Sequence, residues 1–401
     1  MGMIERVVLC TFAAALLAAC QSGPSPLTIV SIAASRDPEA ALRGTVKHRA
    51  ELYERNPRVL LADLRAAKRD FARLQAFLSG KASANWGQKD VKLPSRTRYV
   101  KYTQNYRSRA VVDFDAGEIT VETVDQREPR ASLSNAIVTT LLTPNDPRAV
   151  DLYSDKSIAL SSSREPYLLG LVQDHEGKSI DTPGRAERFA DYLLHARLAR
   201  RSVTLRRGKV TALFVKFAMV ANFESSQAQK YRPLVEKYAA RNNVSPSLVF
   251  AIIRTESNFN PFAVSPTPAY GMMQLVPASG GRAAYRRVTG KDEMPTREFL
   301  FDSANNIELG TAYLGLLFQD QLDVVADPVS REYCVISAYN TGPSNVLRAF
   351  AADRVAAVNR INAMQPPAVY DRLRRHLPYK ETRQYLSRVV NFRRQFVSFK
   401  N

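Results

Sequence analysis

The chain has 401 residues, with 57 lysines and arginines against 38 aspartates and glutamates, a formal net charge of +19. Its length exceeds one typical domain, and an apolar share of 45% is ample for more than one core, which excludes a disordered polyelectrolyte. The strong positive charge favours polyanionic partners without naming one.

The first segment sets an expectation of compartment. Val7 to Ala19 is an apolar run too short to span a bilayer comfortably, and it ends in Leu17-Ala18-Ala19-Cys20. This resembles a lipoprotein signal peptide (residues 1–19), with Cys20 as the acylated first residue of the mature chain. An ordinary secretory signal with an incidental cysteine is the alternative. Gln21 in place of aspartate looks like outer-membrane sorting in a Gram-negative cell, facing the periplasm. Residues 20–56 then read as a tether and linker, opened by Ser22-Gly23-Pro24-Ser25-Pro26. No other stretch has transmembrane periodicity.

Cysteine usage agrees with export. Cys10 leaves with the signal and Cys20 is consumed by lipid, so Cys334 remains alone and no intramolecular disulfide forms. Cys334 is most simply a small core residue, because no family-specific nucleophile signature surrounds it.

An amphipathic helix is expected over residues 57–79, where Leu60, Leu61, Leu64, Ala67, Phe71, Leu74 and Phe77 recur at helical spacing. Packing on its own domain is the simpler use of that face; partner binding is the other. From about residue 97 to 222 the pattern is mixed. Val112 and Phe114, then Ile119 and Val121, alternate around Asp115-Ala116-Gly117 and predict a hairpin, and residues 211–219 predict a long strand. Helices are expected over 131–142 and 184–199. The fold class is therefore α+β: an accessory domain over 57–225 with a small antiparallel sheet, then an all-α domain over 226–401, where the periodicity is almost wholly helical.

The chemistry-bearing residues lie in that second part. Ser245 suits a helix N-cap and Pro246 the first helical position, while Leu248, Val249, Ile252 and Ile253 give an apolar face. Glu256 follows one turn later. Burial there disfavours the ionised form, so its pKa should rise by about one to two units and leave it able to donate a proton. An exposed helix-terminal carboxylate is the plain alternative.

Three further segments accompany Glu256-Ser257: Gly271-Met272-Met273-Gln274 after a loop carrying Ser265, then Ala338-Tyr339-Asn340, then Glu381-Thr382-Arg383-Gln384-Tyr385. Each alone is weak, but the ordered set resembles the lytic transglycosylases with a goose-type-lysozyme-like catalytic domain. Tyr99-Val100-Lys101-Tyr102-Thr103, Asp113 to Thr120, Val150 to Asp155 and Phe189 to Leu193 resemble the amino-terminal domain of the membrane-bound lytic murein transglycosylase C family. Phe301-Asp302, Asn306-Ile307 and Gly310 to Leu314 match it too, so the resemblance runs from about residue 84 to the end. Met272 replaces a leucine, Thr341 a glycine, and Tyr270 a small or aliphatic residue; Pro266 and Pro268 stiffen the Ser265 loop. None of these removes a reacting group.

The resemblance implies a lysozyme-like domain that cleaves the MurNAc–GlcNAc bond of peptidoglycan without water, leaving 1,6-anhydroMurNAc ends, with Glu256 as the single acid and base. It implies that Ser257 orients Glu256, that Ser265, Gln274 and Asn340 hydrogen-bond the sugar or its N-acetyl group, that Met273 lines a pocket, that Tyr339 holds the acid, and that Tyr385 with Glu381 completes the wall. Core packing is the equal alternative for Met273 and Tyr385. The partners implied are glycan strands, the inner leaflet of the outer membrane through the lipid anchor, and a cell-wall enzyme complex. No cofactor is called for.

Competing chemistries lack their signatures. His48, His175, His195 and His376 fit no metal-ligand spacing, and neither a phosphate-binding glycine loop nor a Gly-x-Ser-x-Gly elbow occurs. Nucleic acid is disfavoured, since the basic residues are scattered, densest between Arg372 and Arg394, with no matching fold signature. A lysozyme-type hydrolase on the same fold and a non-catalytic peptidoglycan-binding lipoprotein are the two alternatives that stand.

Overall fold

The computed structural model describes residues 57–160, 165–206, 208–266 and 269–397, with side chains from residue 68 onward. Cys20, the tether and Pro268 lie outside the described residues.

Helix α1 (Pro57–Asp90) runs eleven residues beyond the expected end, with a kink at Gly87, whose φ of 67° is not helical. The reason is that the apolar spacing continues through Leu78, Ala82 and Trp86, all fully buried, while Gly80 weakens the helix without ending it. The expected packing face is only partly used: Phe71 is half-buried, but Leu74 and Phe77 are exposed.

A five-stranded antiparallel sheet follows, in the order β1 (Arg98–Thr103), β2 (Ser108–Asp113), β3 (Glu118–Thr123), β5 (Gly208–Ala218), β4 (Ala199–Leu205). The predicted β2–β3 hairpin is present. Asp113 Oδ1 accepts from the Asp115 and Ala116 amides at 3.1 and 3.0 Å, and Gly117 takes the left-handed φ of 63° that closes the turn. Helices α2 (Pro129–Leu141) and α3 (Pro183–Ala196) lie near the expected positions. The expected extension of α3 to residue 199 is wrong, because β4 starts there. β4 reads Ala-Arg-Arg-Ser-Val-Thr-Leu with only Val203 buried; its pairing with β5 makes it a strand, a tertiary cause its own periodicity does not carry.

The second half is helical: α4 (Phe223–Arg241), α5 (Pro246–Ser257), α6 (Arg282–Thr289), α7 (Arg297–Phe301), α8 (Ser303–Leu316), α9 (Pro328–Thr341), α10 (Pro343–Arg348), α11 (Arg354–Asn362), α12 (Pro366–His376) and α13 (Lys380–Val397). α5 is buried almost all round, from Leu248 to Ile253, and packs against α4 and α13. Such a helix is held by packing and needs little amphipathic contrast.

Two apolar cores result, one under the sheet and one among the helices. The loop after α5 fastens them together. Phe262 leaves the helical half to sit 4.8 Å from the Tyr99 ring and 5.1 Å from Tyr167, fully buried in the sheet core. Beside it, Asn258 Nδ2 donates to the Phe114 carbonyl at 2.6 Å, and Asn260 Nδ2 to the Arg96 carbonyl at 3.0 Å.

Candidate active site

Ser245 and Pro246 start α5 as expected, although the Ser245 hydroxyl pairs with Ser247 Oγ at 2.8 Å instead of capping a backbone amide. The helix stops abruptly. Asn258 and Phe259 take left-handed φ values of 48° and 61°, a conformation that costs energy in residues with a side chain and is kept here by the bonds of Asn258 and Asn260. This turn sets Glu256 at the end of a buried helix with 5% of its surface exposed.

Burial drives the Glu256 pKa up to about 7, further than the sequence suggested, because an ionised carboxylate loses its water there. Tyr385, Arg96 and Arg388 act in the opposite direction, and Glu381 adds slightly to the rise. Tyr385 is fully buried and its hydroxyl is aimed at the carboxyl, although no hydrogen bond of full geometry closes between them. Arg96 Nη1 lies 3.8 Å from Glu256 Oε2 and 3.5 Å from Glu381 Oε1. Glu381 itself stands at the exposed edge.

The other motif segments converge by hydrogen bonds. Residues 270–275 form a tight hairpin, with Tyr270 and Leu275 exchanging backbone bonds at 3.0 and 3.1 Å. Gly271 and Gln274 have φ of 73° and 48° there. Asn306, fully buried on α8, holds the turn: its Oδ1 accepts from Met273 N at 2.8 Å, and its Nδ2 donates to the Tyr270 and Leu300 carbonyls at 2.9 and 2.8 Å. Tyr339 Oη donates to Met273 O at 2.9 Å. Asn340 Oδ1 accepts from Thr382 Oγ1 at 2.7 Å, tying the end of α9 to the start of α13. Gln274 Nε2 donates to Gly271 O at 2.8 Å, and its Oε1 is buried without a protein partner.

Ser257 departs from its expected role, while Met273 and Cys334 take the core positions open to them. Ser257 is fully buried and its hydroxyl donates to Ile253 O at 3.2 Å, not to the Glu256 carboxyl. The Met273 side chain is core: it is fully buried, and any Cβ on Gly310 would strike it. Ser265 lines a small cleft with Tyr153, Tyr270 and Arg297. Cys334 is buried, and burial pushes its thiol up to about 12, consistent with a core residue.

A cavity of about 790 Å³ opens between the two halves, lined among others by Phe71, Arg96, Thr255, Asn258, Arg388 and Phe392; Glu256 itself is not on its wall, but Arg96 and Arg388, which act on it, are. Arg254, also on its wall, lies 2.5 Å from Glu224 and over the Phe392 ring at 4.2 Å. Arg96, Arg388, Asn258, Asn306 and Thr382 were missed as site residues. Asn306 and Thr382 lie within the motif segments and Asn258 and Arg388 just beyond them, but Arg96 carries no local signal; only the packing of the sheet domain brings it to Glu256.

The helical domain buries one glutamic acid near Tyr339 and Tyr385, the acid and the tyrosines marked by the motifs that resemble the lytic transglycosylase class. Residues 233–362 match the family model described as the transglycosylase SLT domain, and residues 64–230 match that of the membrane-bound lytic murein transglycosylase C N-terminal domain. Curated proteins named membrane-bound lytic murein transglycosylase C are similar in Klebsiella pneumoniae (45% identical, covering 76% of this chain and 83% of the relative) and Salmonella arizonae (44%, 78% and 85%). The chain belongs to the membrane-bound lytic murein transglycosylase C family. Among solved structures, the 70 kDa soluble lytic transglycosylase of Escherichia coli is 26% identical at a TM-score of 0.33, covering 42% of this chain and 24% of that one.

Proposed function

We propose that the protein is a peptidoglycan lytic transglycosylase with Glu256 as its only proton carrier. The observation that carries this reading is the placement of the Glu256 carboxyl, 5% exposed at the end of a buried helix and 3.8 Å from Arg96, where burial raises its pKa to about 7 and so favours a protonated fraction at neutral pH. Glu256 gives its proton to the glycosidic oxygen as the bond from MurNAc C1 breaks. The acetamido group of the same sugar stabilises the cationic carbon, and the C6 hydroxyl closes on C1 while returning its proton to Glu256. An intramolecular hydroxyl outcompetes water by proximity, and a 1,6-anhydro end results. Atoms balance without a co-reactant.

Supporting roles follow from position. Tyr339 braces the Met273 turn and Tyr385 faces the acid; Asn340 and the free acceptor Gln274 Oε1 suit the N-acetyl group, and Ser265 suits a neighbouring sugar. Glu381, with Arg96, forms the outer wall. Ser257 and Met273 act through the backbone they fix. A hydrolase on this fold needs a second carboxylate to activate water; Glu381, which shares Arg96 with Glu256, is the candidate for that role, and the ends of the released products separate the two readings. We place the domain boundary between residues 225 and 226, in the first turn of α4.

The names of the relatives favour membrane association, and we assign it to lipid on Cys20, in the outer membrane facing the periplasm. Among the described residues no helix is long and apolar enough to cross a membrane. The basic charge suits the carboxylates of lactyl groups and stem peptides, and a cell-wall enzyme complex is a further partner.

Digestion of purified sacculi followed by mass analysis of the muropeptides tests the reading. Anhydro ends are expected; reducing ends would mean a hydrolase, and no release at all a binding lipoprotein.

A further inference from the structure

Arg96 belongs to the segment that enters the sheet, yet its guanidinium reaches across the junction to two carboxylates of the helical half, 3.8 Å from Glu256 and 3.5 Å from Glu381. Its backbone is fastened to the loop that follows Glu256: the Arg96 carbonyl accepts from Asn260 Nδ2 at 3.0 Å, and the adjoining Ser95 carbonyl from Val264 N at 3.4 Å. The side chain is about one third exposed, on the wall of the large cavity. A charge at this distance on a fixed main chain is a designed neighbour of the acid, and the domain that holds it contributes no other ionic partner to Glu256 among the described residues.

We propose that Arg96 is a positioning residue for Glu256, so that the accessory domain supplies part of the charge on which proton transfer depends. The inference rests on the transglycosylase reading. In that cycle Glu256 starts neutral, becomes a carboxylate when the glycosidic bond breaks, and is reprotonated by the C6 hydroxyl. Burial alone makes the carboxylate stage expensive, and Arg96 stabilises it while Glu381 holds the guanidinium from the other side. The remaining groups that face Glu256 are Arg388, Tyr385 and Glu381 of α13 and Tyr339 of α9. None of these crosses the domain junction.

The test is the pH profile of kcat and KM for the full chain and its Arg96→Gln, Arg96→Lys and Glu381→Gln variants on soluble glycan strands. Losing the cation makes Glu256 a weaker acid. The alkaline limb of Arg96→Gln should therefore move up by about one pH unit, with kcat at pH 6 lowered about tenfold and KM within about twofold. Arg96→Lys should restore most of the limb. Glu381→Gln should move the limb the other way, since a like charge is removed and Arg96 is left to Glu256 alone. A profile for Arg96→Gln that coincides with the parent, or a rate loss with an unmoved limb in a variant whose thermal unfolding is normal, overturns the proposal. If the Gln variant unfolds, the same profile of Arg96→Met decides, and a limb that coincides with the parent's counts against Arg96. Activity that survives Glu256→Gln, or products without anhydro ends, instead defeats the underlying reading and the proposal with it.

Discussion

Tyr339 donates its hydroxyl to the carbonyl of Met273 at 2.9 Å, so two motifs 66 residues apart are one structural unit. The bond braces the 271–274 turn from one side while Asn306 braces it from the other. Tyr339→Phe should then cost about 1 kcal/mol, by leaving a buried carbonyl unpaired, and should lower kcat more than it raises KM. Chemical denaturation together with steady-state kinetics on sacculi measures both.

Glu256→Gln keeps the shape and removes the proton. Turnover should fall by about a thousandfold or more, the scale of a lost general acid, while the variant still sediments with sacculi. Retained lysis would contradict the assignment of the acid.

The same substitution has a stability consequence with a definite sign. Folding raises the Glu256 pKa from 4.5 to about 7, so the native state prefers the protonated form. Its contribution is fully present below the unfolded-state value and is lost as pH rises through about 7. At pH 8 the buried carboxylate costs up to about 3 kcal/mol relative to a neutral side chain. Glu256→Gln should therefore unfold at a higher temperature than the parent at pH 8, with the gap closing by pH 5, as followed by circular dichroism.

Activity should show a matching limb. The free enzyme needs Glu256 protonated, so kcat/KM should decline as pH rises through about 7. Initial rates of turbidity loss between pH 5 and 9 would reveal a flat profile if the acid lies elsewhere.

Phe262 is the plug that joins loop and sheet core. Phe262→Ala should destabilise the protein by about 3–4 kcal/mol and reduce activity by loosening the turn behind Glu256. A variant with unchanged unfolding would mean that the loop is held by Asn258 and Asn260 alone.

Much of this molecule is legible in its chain. α5 was readable because a proline start and an unbroken apolar face leave few conformations, and the hairpin because apolar residues alternate on both sides of Asp115-Ala116-Gly117. Local chemistry also determined that Glu256 follows a greasy helix, which is enough to foresee a raised pKa. What local chemistry does not contain is the partner across a domain boundary. β4 became a strand only by pairing with β5, Ser257 turned to its own helix, and Met273 went into the core against Gly310. Arg96 reached Glu256 from 160 positions away because the Phe262 loop locks the two cores together. Short-range propensities act over a few residues, whereas the field at a buried acid is set by whatever charge the packing brings within about 4 Å.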